Sequence, residues 1–158
     1  MKRLLFLLLL VSQVAFGQVL VQGQEVYTYN GRAAIYTAPV APASVVIDGD
    51  FAEACGVNWV CGTGWAISGG KAVATATTDF LYQLAVFELG ETYKIIYTIS
   101  DYGGGTVNVR CGTGTLGAQR AADGTFEQDL VCTTSTTIIF DGIAAFTGKI
   151  NNVSAVKQ

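Results

Sequence analysis

The sequence predicts an all-β fold, a two-sheet antiparallel β-sandwich, and three observations support this prediction. Apolar and polar residues alternate in short runs, most clearly over residues 92–100 and 106–112, and a period of two is typical of a half-buried strand. Glycine turn signals separate these runs at intervals of roughly 8–12 residues, as in sandwiches and barrels. Only 13% of the residues are charged, and no segment has the pattern of a long amphipathic helix.

The first 17 residues have the pattern of a secretory signal peptide. Lys2 and Arg3 precede an apolar run over residues 4–11, and small residues follow at Ala15 and Gly17. Cleavage is expected after Gly17. The apolar run is shorter than the roughly 20 residues that span a bilayer, although a retained anchor is an alternative. The predicted location is therefore secreted or cell-surface.

Residues 18–43 are predicted to form a short extended N-terminal arm that ends in a linker. The arm is rich in valine and tyrosine, and Asn30-Gly31 is a strong hairpin signal because both residues tolerate positive φ. Two prolines, at positions 39 and 42, stiffen the segment that follows. A single binding domain is expected over residues 44–158.

Within this domain, strands are predicted in chain order, each bounded by turn residues. The run of three glycines at 103–105 is expected to separate two of them. The predicted strands are 44–47, 65–68, 71–77, 79–88, 92–100, 106–112, 125–133, 136–140 and 148–156.

The four cysteines suggest disulfides, because an exported chain meets an oxidising environment. Three pairings are open, and the sequence alone does not choose among them. A Cys55–Cys61 bridge would close a tight loop around Trp59. A Cys111–Cys132 bridge would then join two strands that a simple hairpin register does not place side by side. The alternative is that some cysteines are buried free thiols.

The order of several motifs resembles the galactose-binding-like jelly rolls of carbohydrate-binding modules, which also occur in phage virion proteins. A Gly-Asp-Phe element at 49–51 comes first, Gly-Trp-x-Ile-x-Gly-Gly-Lys follows at 64–71, and Phe-Thr-Gly-x-Ile-x-Asn-Val at 146–153 ends the domain. The resemblance implies a jelly-roll fold that binds glycans. It also implies a structural calcium near Asp48, Asp50 and Asn151. Because Asn151 is neutral where family members often have Asp, calcium binding remains open.

Five residues are candidates for carbohydrate binding: Trp59, Tyr102, Asn108, Arg110 and Arg120. Trp59 could be an exposed platform for a sugar ring, or a lid on one end of the core. Asn108 and Arg110 face away from Val107 and Val109, so they could line a polar sheet face or an ordinary solvated one. Tyr102 and Arg120 lie in predicted loops that could rim such a face. The other aromatic residues of the motifs, Trp65, Tyr93 and Tyr97, are predicted to be core.

Composition argues against several functions. Without Lys2 and Arg3 the chain has 7 basic and 12 acidic residues, a net charge of −5, which is unsuited to nucleic acid binding. The chain has no histidine, so the usual catalytic triads are excluded, and no pair of carboxylates stands out as that of a glycosidase.

The sequence therefore predicts a non-catalytic, exported module for carbohydrate binding or surface attachment, with no required cofactor. The partner would be a glycan or a cell-surface polysaccharide. The alternative is a structural virion protein, such as a spike, fibre or capsid decoration. Its arm would then mediate docking to other virion proteins or homo-oligomer formation.

Overall fold

A computed structural model describes residues 24–29, 32–37 and 41–158 of the chain, with side chains from residue 41 onwards. The chain divides into two compact units, Met1–Ala41 and Pro42–Gln158. The predicted signal peptide and residues 38–40 of the predicted linker lie outside the described residues. Across the described residues, there is no helix with the length and apolar character needed to cross a membrane.

The smaller unit contains an antiparallel pair of strands, β1 (Gln24–Tyr29) and β2 (Arg32–Thr37). Tyr29 lies opposite Arg32, so two residues connect the strands, as the hairpin signal predicted. The two connecting residues, Asn30 and Gly31, lie outside the described part of the chain. No third strand joins this pair among the residues that the structure describes.

The larger unit is built from antiparallel strands that belong to one continuous sheet. This arrangement confirms the prediction of an all-β, antiparallel sandwich. In chain order the strands are β3 (Val60–Cys61), β4 (Trp65–Ile67), β5 (Ala72–Thr77), β6 (Phe80–Gln83), β7 (Thr92–Cys111), β8 (Thr115–Leu116), β9 (Gly124–Val131) and β10 (Ile138–Lys157).

Strands β7 and β10 are each 20 residues long, and both pass through the two halves of this sheet. The half that we call sheet I has the order β9–β7–β10–β5–β4, with the first part of β7 and the last part of β10. The half that we call sheet II has the order β3–β6–β10–β7–β8, with the other part of each long strand. The two halves together form a nearly closed sandwich.

The prediction that glycines 103–105 end a strand is wrong, because the chain bends there and continues. Gly104 and Gly105 adopt φ values of 154° and 70°, which are open to glycine at no steric cost. On the neighbouring strand, Ala144 and Ala145 are left-handed at the matching point, where the register shifts between Ile143 and Thr147. Bulges of this kind bend a strand without ending it.

The inner sides of the two sheets share one apolar core. The Tyr97 ring in sheet I meets the Phe140 ring in sheet II edge to face, with 5.1 Å between ring centroids. The predicted core positions Trp65, Tyr93 and Tyr97 are all buried, which confirms that interpretation.

Both disulfides have the pairing that the sequence analysis considered, and no cysteine of the chain is a free thiol. Cys111 ends β7 in sheet II, and Cys132 directly follows β9 in sheet I. The Cys111–Cys132 bridge therefore ties one sheet to the other, and the two residues are not neighbours in a hairpin.

The strand predicted at 44–47 is not formed. The backbone of Ile47 pairs with the side chain of Gln83 and not with a neighbouring strand. The Gln83 amide accepts a hydrogen bond from the Ile47 N–H at 3.0 Å and donates one to the Ile47 carbonyl at 2.7 Å. One buried glutamine thereby imitates a neighbouring strand. The Val45 N–H bonds instead to the Ala155 carbonyl at 2.8 Å.

Candidate functional site

One row of side chains crosses all five strands of sheet II on its outer side. The strand register places Val60 opposite Tyr82, Tyr82 opposite Ile139, Ile139 opposite Arg110, and Arg110 opposite Leu116. The row faces outward because the next row, containing Leu81, Phe140 and Val109, is fully buried in the core. Five strands at a spacing of about 4.8 Å make the row about 19 Å long.

A second row lies beside the first and contains Phe80, Asp141 and Asn108 on three adjacent strands. We call the two rows together the arginine face. The Arg110 guanidinium lies 4.5 Å from the centroid of the Phe80 ring, which is a cation–π contact. Arg110 Nη1 also lies 3.3 Å from Asp141 Oδ2. Arg110 is therefore held on two sides, by a carboxylate and by an aromatic ring.

The centre of the arginine face is recessed relative to its margins. The Arg110 and Asp141 side chains are only 15% and 16% exposed, whereas Phe80 is 36% and Leu116 59% exposed. Asn108, in the second row, is buried. The face thus offers a shallow polar floor between apolar margins.

Two polar atoms on this floor have no hydrogen-bond partner. They are Asn108 Oδ1 and Arg110 Nε, and both are buried. A buried polar atom that lacks a partner costs about 1–3 kcal/mol relative to a bonded one. Such atoms are uncommon in folded proteins, and a bound water or ion is one way in which their bonding is completed.

Two carboxylates with opposite pKa shifts lie at the arginine face. Burial raises the pKa of Asp141 above its ordinary value, although the charge of Arg110 opposes the shift; the nearby charge of Asp79 adds to it. The pKa of Asp79 is lowered, because its carboxylate accepts the backbone N–H groups of Thr63 and Phe80, each at 2.8 Å. Asp79 therefore stays ionised and holds the chain just before Phe80.

Of the five residues proposed from the sequence, the structure brings Asn108 and Arg110 together on the arginine face. Trp59 is not there: its side chain is 0% exposed, and its indole N–H donates to the Asp48 carbonyl at 2.9 Å. Its ring packs against Phe51 and Phe140. The exposed platform considered for Trp59 is therefore contradicted by its burial, and the core-lid alternative describes it.

Tyr102 and Arg120 also lie away from the arginine face. The Tyr102 hydroxyl donates to the Gly105 carbonyl at 2.9 Å, within the bend of β7. Arg120 bridges to Val107, whose side chain points into the core, and its guanidinium lies 4.8 Å from the centroid of the Phe126 ring. Neither residue rims the site predicted from the sequence; each supports local structure.

Sequence reasoning missed Phe80, Tyr82 and Asp141. The signal for the first two was available, because the segment Phe80–Gln83 carries large side chains on both faces of one strand. A strand with one solvated face normally has polar residues on that face, so aromatic residues there indicate a contact surface. Asp141 did not stand out among the carboxylates, because the strand register that brings it to Arg110 is not visible in the sequence.

Of the residues proposed for calcium, Asp48 already has backbone N–H partners for its carboxylate. Asp48 Oδ1 accepts the Ala52 N–H at 2.6 Å, and its carboxylate also receives the Glu53 N–H. Calcium takes about six to eight oxygen ligands and favours several carboxylates. In the described part of the chain, no three His, Cys, Asp or Glu side chains are grouped closely enough to hold a metal ion. Asn151 Oδ1 is buried without a partner, and Asp50 is exposed.

No family model matches this chain, and no curated protein matches it. Among solved structures, it is similar to one described as "CBM4 structure and function", at 15% identity and a TM-score of 0.49, covering 72% of this chain and 99% of the other. It is also similar to the CBM22-1 xylan-binding domain of Paenibacillus barcinonensis Xyn10C, at 11% identity and a TM-score of 0.45, covering 74% and 92%. Both are carbohydrate-binding modules, the class that the sequence motifs were predicted to resemble.

Proposed function

We propose that the larger unit is a non-catalytic carbohydrate-binding module that holds glycan on the arginine face. The observation that carries this proposal is the Val60–Tyr82–Ile139–Arg110–Leu116 row, which places apolar and aromatic groups around a fixed cation on the outer side of a sheet. A sugar ring has apolar C–H surfaces and a rim of hydroxyls. Apolar walls with a few fixed polar groups suit that ligand.

The polar groups of this face are already oriented. Arg110 is held by Asp141 and by the Phe80 ring, so it loses little side-chain freedom when it donates to a ligand. Asp141 offers acceptors beside those donors. Neighbouring hydroxyls of one sugar residue can donate to the carboxylate and accept from the guanidinium. Tyr82 and Phe80 would contact the C–H surfaces.

The same geometry argues against hydrolysis. A glycosidase needs two carboxyl groups free to exchange protons or attack, on either side of the scissile bond. Here the Asp79 carboxylate accepts two backbone N–H groups, and Asp141 is paired with Arg110. Both carboxylates serve to position neighbouring groups. Export is part of the proposal, since disulfides persist in oxidising compartments and the chain has two.

The test is binding of the purified protein to a panel of soluble polysaccharides, by affinity electrophoresis and then calorimetry. Tyr82→Ala and Arg110→Ala should each weaken binding by at least about tenfold, which corresponds to about 1.4 kcal/mol. Leu89→Ala and Lys94→Ala are the matched controls: Leu89 is exposed outside the rows, and Lys94 is on the outer side of sheet I. Equal losses in the controls, or no binding to any polysaccharide, would contradict the proposal.

A further inference from the structure

We propose that Asp141 sets the charge specificity of the arginine face, so that the face binds uncharged glycans and rejects glycans that carry carboxylates. This inference rests on the carbohydrate-binding function proposed above and specifies its ligand class. It is carried by the contacts and charges of three residues, Arg110, Asp141 and Asp79.

Arg110 is the only basic residue of the arginine face within residues 41–158. The other five basic side chains of these residues contact groups outside the face. Lys94 and Lys149 pair with Glu127 and Asp101 on sheet I, and Lys157 pairs with Glu88 and Glu91. Lys71 donates to Ser100, and Arg120 lies against the Phe126 ring. Any attraction of this face for an anionic sugar therefore depends on Arg110.

An arginine on a recessed floor would normally be a carboxylate site, because its planar donors match the two oxygens of a carboxylate. In this protein a carboxylate of the chain itself, that of Asp141, already occupies that position. Asp141 Oδ2 lies 3.3 Å from Arg110 Nη1, and both side chains are about five-sixths buried. A ligand carboxylate would have to displace Asp141 or share the guanidinium with it.

The surrounding charge adds to this exclusion. Asp79 lies close enough to Asp141 for its charge to raise the pKa of Asp141. With one cation and two carboxylates, the local charge is −1 when all three groups are ionised. Both carboxylates repel an approaching carboxylate, and the partial burial of Asp141 makes its share of the repulsion stronger than it would be in bulk water. Hydroxyls carry no such penalty, and they can bond to both members of the pair.

The test compares a soluble glucan with the same glucan after oxidation of its primary hydroxyls to carboxylates, so that the probes differ only in charge. Wild-type protein should bind the oxidised glucan at least about tenfold more weakly than the neutral one. The ratio of the affinity for neutral glucan to the affinity for oxidised glucan should fall about tenfold or more in Asp141→Asn. This gain in relative affinity for the oxidised glucan should shrink as salt is added. Glu127→Gln is the matched control, because it also removes one carboxylate from an ion pair, and it should keep the wild-type ratio.

Two further variants complete the test. The double variant Arg110→Gln/Asp141→Asn should not show the increased relative affinity for oxidised glucan, because it lacks the cation that attracts the carboxylates. If Asp141→Asn alone does not fold, Arg110→Gln alone should widen the wild-type ratio. Wild-type protein that binds oxidised glucan as tightly as neutral glucan would overturn the inference and leave carbohydrate binding intact, as would an unchanged ratio in Asp141→Asn. Failure to bind any polysaccharide of the panel would overturn the proposed function itself.

Discussion

The two disulfides should contribute unequally to stability, and the difference can be worked out from the loops that they close. The Cys111–Cys132 bridge spans 21 residues and the Cys55–Cys61 bridge spans 6. The chain-entropy relation then gives about 3.3 kcal/mol for the first bridge and about 2.2 kcal/mol for the second at 25 °C. Removing the longer bridge should therefore cost about 1 kcal/mol more.

Burial of the cysteines also makes the Cys111–Cys132 bridge the more costly one to remove. Cys111 and Cys132 are both fully buried, whereas Cys55 is exposed. Replacing the first pair by alanine also removes buried sulfur atoms from the core, and this loss adds to the loss of the cross-link.

The assay is equilibrium unfolding in urea of two double variants, Cys111→Ala/Cys132→Ala and Cys55→Ala/Cys61→Ala, against the wild-type protein. The free energy of unfolding comes from linear extrapolation, and comparable slopes would show that the denatured states are comparable. In thermal melts, a difference of about 1 kcal/mol should separate the two variants by about 3–4 °C for a chain of this size. A variant without Cys55–Cys61 that is as destabilised as the other, or more so, would refute the loop-entropy reasoning.

Four further outcomes are expected. Both Gly104 and Gly105 have positive φ, so an alanine at either position is strained. Gly105→Ala should unfold at the lower temperature, because its Cβ would also lie 2.5 Å from the Phe146 amide nitrogen, whereas a Cβ at 104 meets nothing within 4 Å. Gln83→Leu should lower the free energy of unfolding by about 2 kcal/mol or more in urea titrations, because it leaves the Ile47 amide groups without partners. The lowered pKa of Asp79 stabilises the fold above the ordinary carboxylate pKa, so this contribution should be lost as the pH falls; melting of Asp79→Asn from pH 6 to pH 2 should converge on the wild type. Light scattering at two concentrations should give a monomer if the module acts alone, whereas a mass that stays oligomeric on dilution would favour assembly through the N-terminal arm predicted over residues 18–43.

Fold class was predictable because it depends on local signals. Period-two alternation placed the inward-facing residues of β7 correctly, and turn residues marked most strand ends. The two long strands could not be predicted, because a glycine run reads equally well as a turn or as a bend. Whether the run forms a turn or a bend depends on whether the neighbouring strand bends at the same point. The bend of that strand lies at Ala144 and Ala145, and alanines are not recognisable as turn residues in the sequence.

The candidate site was only partly predictable, for a related reason. Alternation alone is enough to place Asn108 and Arg110 on one face. The neighbours of that face come from distant segments, and strand order decides them: Phe80 and Asp141 are 61 residues apart in the chain and directly paired in the sheet. The position of Trp59 was ambiguous, because a tryptophan in a loop can point into the core or into solvent. In the structure it points into the core, where its indole N–H donates to the Asp48 carbonyl.

The two strands that run through both sheets also constrain how the larger unit can fold. β10 is the last described strand in chain order, yet it is a central strand of both sheet I and sheet II. Neither sheet can be completed by the segments that precede it. Folding of this unit must therefore wait until residues 138–157 are present, and it should be slow and cooperative, as for other chains rich in long-range strand pairing. If the chain is exported, as proposed above, this delay would allow an unfolded polypeptide to be translocated before either disulfide forms.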